Sequence, residues 1–141
     1  MRVLALDLGE RRIGVAASDP TGVLAQPLTV IQRTSRPEDI ARIAEIAAAR
    51  GTDRIVIGLP LNMNGSVGPA ARASRRFAGA VRESTNLEVE LWDERLTTAS
   101  AEQMLIDADQ SRARRRELRD AVAAALILES YLEAHRGKDD E

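Results

Sequence analysis

Three acidic positions in this 141-residue chain stand where acids are costly. Asp7 interrupts the apolar run "VLALDL", and a buried carboxylate without a partner loses its hydration and gains nothing. Asp120 opens "DAVAAALILESYL". With Ala124 at i+4 and Leu128 at i+8, it projects from the apolar stripe of a helix. Asp93 and Glu94 follow the apolar run that ends at Trp92, and ligands of α/β sheets sit at the carboxyl ends of strands. Alternation puts those two acids on opposite faces, and pattern alone selects neither. Each position also has a plainer reading. Asp7 could cap the turn at Gly9, Asp93 and Glu94 could be a polar loop, and Asp120 could answer a helix dipole. The segment "SRARRREL" ahead of Asp120 is itself helical in pattern, which puts Asp120 inside the helix and weakens the last of these.

The chain has no Cys and one His, His135, beside a polar tail. Disulfides, thiolate zinc sites and cysteine nucleophiles are thereby excluded, and a lone histidine beside a polar tail speaks against His metal sites and Ser-His-Asp triads. Carboxylates alone suit Mg²⁺ or Mn²⁺, hard ions that take oxygen ligands. Two such ions roughly 4 Å apart hold a phosphodiester, activate water and stabilise the leaving oxygen. A metal would also neutralise Asp7. Asp19 falls on the order of 15 Å from Asp7 at ~3.3 Å per strand residue, too far to share an ion; before Pro20 it reads as a turn residue. Asp107 and Asp109 end a helical pattern and face water.

These acids need elements to position them. A 44% hydrophobic chain of this length supports one core. Val3–Leu8 and Ile13–Ala17 read as strands, joined by a turn so short that they must be antiparallel. Pro27–Ile31, Arg54–Gly58 and Leu87–Trp92 read as further strands. Ser35 and Glu38 form the signature of a capped helix that ends at Gly51, with Ile40, Ile43, Ala44 and Ala47 as its stripe. A second helix opens at Pro69 with Ala70, Ala73, Phe77, Ala80 and Val81 on one face. Ser100–Ala108 and Ser111 to about His135 complete the helices. The order implies a mixed sheet with helices on both faces. Residues 1–136 are expected to form one α/β domain, with 137–141 a disordered acidic tail. No apolar stretch approaches the ~20 residues of a membrane span, and no basic-then-apolar leader opens the chain, so a cytoplasmic protein with no membrane partner is expected.

At this point "DLGERRIGVAASD", "GLPLNMNGS", "DERLTTASAE" and "DAVAAALIL" together resemble the YqgF/RuvX family. These are small RNase H-like proteins described as Holliday-junction resolvases and as pre-16S rRNA nucleases. The likeness runs in order along nearly the whole chain. It implies a five-stranded mixed sheet, strand order 3-2-1-4-5, and a Mg²⁺ or Mn²⁺ site made by Asp7, Glu94 and Asp120. The resemblance, not the spacing, favours Glu94 over Asp93. Related resolvases carry a fourth acid one turn from the third; here Ala123 and Ala124 stand near Asp120, so substrate phosphate or water would complete the ligation.

The implied substrate is structured RNA or branched DNA, cut by a metal-dependent endonuclease acting as monomer or homodimer. Net charge is −2, so only local clusters can favour a nucleic-acid partner. Arg112, Arg114, Arg115 and Arg116 form one beside Asp120, suited to phosphate. Arg11, Arg12, Arg95, Thr97 and Thr98 are further candidates, as are Asn62 and Asn64 in the loop after "GLP". The threonines could equally be helix caps. With so few aromatics, recognition should run through backbone and shape rather than base stacking. Two other readings stay open. One is a non-catalytic RNA-binding ribosome-assembly or transcription factor that keeps the fold. The other is an ATP-binding domain of the actin and sugar-kinase type, whose first phosphate loop "DLGERRIGVAASD" also resembles.

Overall fold

The sheet grows outward from its most apolar strand. β1 (Val3–Leu8) pairs antiparallel with β2 (Arg12–Ser18), which pairs antiparallel with β3 (Ala25–Gln32). On its other side β1 pairs parallel with β4 (Arg54–Leu59), and β4 pairs parallel with β5 (Glu88–Asp93). The order is therefore β3-β2-β1-β4-β5, the expected one. The structure, a computed structural model, describes residues 1–97 and 112–136, and of residues 112–118 the backbone alone. The expected helix 100–108 and the tail 137–141 lie outside the described residues. Among the described residues, no helix is long and apolar enough to cross a membrane.

β1 is covered on both faces, which is why it reads as a continuous apolar run rather than an alternation. Leu4 and Leu6, with Ile13, Val15, Ile55 and Ile57, meet α1 (Arg36–Ala49) and α2 (Pro69–Thr85). Val3 and Ala5, with Ala16 and Val56, meet α3 (Arg112–His135) through Ala124, Ala125, Leu128 and Tyr131. Alanines on both sides let α3 lie close to the sheet. Parity puts Asp7 on this α3 face. β3 begins two residues earlier than its pattern suggests, and an edge strand tolerates the Pro27 this places inside it.

Ser35 caps α1, its Oγ accepting from the Glu38 amide at 3.3 Å. The Glu38 carboxylate accepts from the Thr34 hydroxyl at 2.6 Å. The expected α2 stripe is rotated. Phe77 and Val81 are buried as expected and Ala80 packs partly buried against the core, but Ala71, Ser74 and Ala78 are buried in place of Ala70 and Ala73. Alanine carries too little apolar surface to fix a helix face, and the buried Ser74 hid the true one.

Gly79, also on α2, has open space where a Cβ would stand. Alanine there removes the excess backbone entropy of glycine in a helix. Gly79→Ala is expected to stabilise the fold by about 1 kcal/mol, raising Tm by ~3 °C in a calorimetric scan.

Candidate active site

Asp7 is flanked by two glycines. Gly14 of β2 is its cross-strand partner, the position that a turn around Glu10 and Arg11 implies. Gly58 of β4 follows Ile57, the partner of Leu6. A Cβ on Gly14 would collide with the carbonyl of Asp120, because α3 rests directly on the β2 backbone there. A Cβ on Gly58 would collide with Glu94 Oε1 and Ile127 Cδ1. The two glycines open the spaces that bring Asp120 and Glu94 to either side of Asp7. Sequence reading gave neither glycine a role in the site; the available signal was glycine inside a strand, which marks close approach by another group.

Asp93 and Glu94 separate as the strand ends. Asp93 closes β5 and caps a 3-10 turn, Glu94–Leu96, by accepting from the Arg95 amide at 2.9 Å. The Arg95 guanidinium also holds the Asp93 carboxylate, with Nη2 to Oδ2 at 2.8 Å, and keeps its pKa below the usual range. Glu94 turns inward, and its carboxyl stands against that of Asp7. Two carboxylates face to face need a proton or a cation between them. Burial, followed by the Asp7 charge, pushes Glu94 up to about 7. Burial also raises Asp7, and the negative charge of Asp120 adds to the rise. Asp120, nine residues into α3, instead accepts from Arg12 Nε at 2.8 Å. Among the described residues, no three His, Cys, Asp or Glu groups gather closely enough to hold an ion as they stand. Asp7 and Glu94 meet, while Asp120 is within electrostatic reach but engaged by a guanidinium. The donors present are all oxygens: two carboxyls that meet, and a third that Arg12 holds beside them. The chemistry of that donor set is the one a hard divalent ion takes, though its third member is engaged by Arg12.

A family model described as "RuvX: Holliday junction resolvase" matches residues 1–134. The chain belongs to the RuvX family. A Myxococcus xanthus protein provisionally named a pre-16S rRNA nuclease is 51% identical over 141 residues, 100% of this chain and 93% of the relative. A protein of the same name from Pelotomaculum thermopropionicum is 54% identical over 135 residues, 95% and 88% of the two chains. Among solved structures, Thermus thermophilus RuvC in complex with a Holliday junction substrate superposes with a TM-score of 0.66. That match spans 96% of this chain and 97% of the other at 14% identity, so it speaks for the fold. The fowlpox virus resolvase bound to Holliday junction DNA gives 0.58 at 14% identity, over 96% and 99%.

The other candidate residues of this RuvX-family chain divide by what holds them. Arg11 and Arg12 lie exposed on the β1–β2 turn, which Arg33 braces by donating from Nη1 to the Gly9 carbonyl at 2.8 Å. Arg33 is itself held by Asp39, 1% exposed, through Nε at 3.1 Å; sequence reading missed this half-buried pair. Asn62 and Asn64 shape their loop, Nδ2 of Asn62 donating to Ser66 Oγ at 2.9 Å and Oδ1 of Asn64 accepting from the Ser66 amide at 3.0 Å. Thr97 closes the 3-10 turn, its hydroxyl donating to the Glu94 carbonyl at 2.8 Å. Arg112, Arg114, Arg115 and Arg116 have helical backbone in α3, with side chains outside the described residues; Thr98 lies outside them altogether. Asp19 is the turn residue expected, holding the Val23 and Leu24 amides and the Thr21 hydroxyl. A concavity of about 610 Å³ between Arg54, Arg82 and Glu88 lies at the opposite pole and touches none of the three acids.

The raised pair has a consequence for stability. A carboxyl whose folded pKa exceeds its unfolded one favours the fold fully below the unfolded value, and that contribution is lost as pH climbs through the folded value. Glu94 moves from 4.5 to about 7, and Asp7 moves the same way. The metal-free protein is expected to melt lower at pH 8 than at pH 6. Millimolar Mg²⁺ should narrow that gap, because ions bind the deprotonated ligands. Melting curves at the two pH values, with EDTA and with Mg²⁺, check this.

Proposed function

We propose that this chain is a divalent-metal-dependent endonuclease of structured nucleic acid, acting in 5′-end maturation of pre-16S rRNA, in cleavage of branched DNA, or in both. The observation that carries the reading is the facing pair Asp7 and Glu94 at the carboxyl pole of the sheet, with Asp120 beside them. The family supports it: relatives about 50% identical bear a nuclease name.

Asp7 and Glu94 would hold Mg²⁺ or Mn²⁺, with Asp120 joining when Arg12 releases it. The bound ion supplies Lewis-acid polarisation of the phosphate and a water nucleophile active at neutral pH. Arg12 is half exposed, with 54% of its side chain accessible, and its planar fork suits a phosphate as well as a carboxylate. A substrate phosphate that takes Arg12 therefore frees an oxygen of Asp120 at the site. Arg11 adds a further cation on the same turn. Arg95 acts by positioning: it removes Asp93 from competition and, through Nη1 to the Met63 carbonyl at 3.4 Å, ties the 60–68 loop to the turn that carries Glu94. The half-buried Asp39–Arg33 pair fixes the turn that presents Arg11 and Arg12.

The test is cleavage of a 5′-extended 16S precursor fragment and of a four-way DNA junction, each with Mg²⁺, with Mn²⁺ and with EDTA. Metal-dependent products at one bond or a few supports the reading. Binding with a steep salt dependence and no cleavage under any metal replaces it with the non-catalytic binder. The Arg12–Asp120 pair is the feature that favours that second reading.

A further inference from the structure

The exposed face of α2 is an arginine surface. Arg72, Arg75 and Arg76 stand at i, i+3 and i+4, so they share one side of the helix, opposite the buried Ala71, Ser74, Phe77, Ala78 and Val81. Arg36, the first residue of α1, reaches across and donates from Nη2 to the Arg76 carbonyl at 3.1 Å. α2 has no acid before Glu83. Among the described residues, no carboxylate lies within 4 Å of any of these four guanidinium groups; the ion pairs there involve Arg12, Arg33, Arg54 and Arg95 instead. In a chain of net charge −2 this positive excess is local.

Its place in the fold gives it meaning. β1, β3, β4 and β5 all run the same way, so their carboxyl ends share one pole. Arg36 stands just after β3, and α2 begins after the loop that leaves β4, where Arg72 Nη1 donates to the Val67 carbonyl at 3.2 Å. The arginine shoulder therefore starts at the pole that holds Asp7 and Glu94, but on the opposite side of the sheet from α3. Arg11 and Arg12 sit on the rim between.

The neighbours decide the partner. A protein partner would want an apolar centre within the patch, and the large exposed apolar residues Met1, Val23, Leu24, Met63 and Leu96 all lie off α1 and α2. Guanidinium groups without apolar company suit a phosphate backbone. We propose that the α1–α2 shoulder, through Arg36, Arg72, Arg75 and Arg76, binds the backbone of a duplex arm of the substrate that leaves the cleavage site over the rim of the sheet. The inference rests on the nuclease reading for its substrate class, and it explains how a small domain recognises structured nucleic acid: one arm is held at the acids, another on the far side of the sheet.

The experiment is fluorescence anisotropy in EDTA with a labelled four-way DNA junction and a labelled RNA hairpin, across 50–300 mM KCl. The proteins are the parent, Arg72→Gln/Arg75→Gln/Arg76→Gln, and Arg50→Gln/Arg136→Gln as an opposite-pole control. Each duplex phosphate contact contributes about 0.9 to the slope of log K against log salt. The triple variant is expected to lose about 2 to 3 from that slope and about tenfold or more in affinity near 150 mM, with the control at parental slope. In metal the loss should fall on KM rather than kcat. Loss on the hairpin, the junction or both identifies the nucleic acid the shoulder serves. Should the triple variant fail to fold, Arg75→Glu alone should weaken binding severalfold. A slope unchanged in a variant of a parent that binds and cuts overturns the shoulder and leaves the nuclease reading standing. A reduced slope with a parent that cuts neither substrate does the reverse.

Discussion

Asp7→Asn is expected to abolish cleavage while making the metal-free protein more stable. The amide keeps the shape of the carboxylate but cannot ligate a hard cation with the same charge. An ion contributes several kcal/mol to a phosphoryl transition state, and each 1.36 kcal/mol is tenfold in rate. The loss should therefore be about a thousandfold or more in kcat at saturating Mn²⁺. Stability should move the other way. In the free protein Asp7 is pushed up by burial and by the charge of Asp120, so the native site opposes its ionisation. A neutral amide removes that opposition and can still hydrogen-bond Glu94. Tm in EDTA at pH 8 should rise, and the stabilisation that Mg²⁺ gives the parent should be lost. Opposite signs are diagnostic: a structural Asp7 would lose stability and activity together. Cleavage retained within tenfold would remove Asp7 from the chemistry.

The sheet was legible because its strands are short, apolar and separated by turn chemistry. β1 was bounded correctly by its run and by Gly9, and the β1–β2 pairing followed from the length of one turn. α1 was legible from Ser35 and Pro37 at one end and Gly51, at φ 62°, at the other. The candidate site was less so. An acid in an apolar strand announces itself, but the choice between Asp93 and Glu94 depends on where a strand stops and a 3-10 turn begins. Alternation cannot carry through that boundary. The answer lies in Arg95, whose fork takes Asp93 and leaves Glu94 to face Asp7. The pairing of Arg12 with Asp120 joins residues 108 apart in sequence and has no local signature. Nor does the Asp39–Arg33 pair, because a buried acid in the first turn of a helix looks like any acid that answers a dipole.

Gly14 and Gly58 should separate folding from chemistry. At Gly14 the atoms that an alanine Cβ would strike are backbone: the Asp120 carbonyl and the Ala121 amide nitrogen. Relief requires α3 to move off the sheet, and that helix fills one whole core with Ala124, Ala125, Leu128 and Tyr131. Overpacking of this kind costs about 3 kcal/mol, so Gly14→Ala is expected to lower Tm by ~10 °C. At Gly58 the struck atoms are the ends of side chains, Glu94 Oε1 and Ile127 Cδ1. Both can rotate away, so Gly58→Ala should cost about 1 kcal/mol. The rotation takes Glu94 from Asp7, however, and misplacement of a site group by ~1 Å lowers rate about a hundredfold. Gly58→Ala with Ile127→Val isolates the two effects. Shortening Ile127 removes its Cδ1 from the collision and leaves the Glu94 collision in place. Tm should recover in the double variant, and kcat should not. Recovery of both would mean that Glu94 lies outside the machinery and that Gly58 serves packing alone.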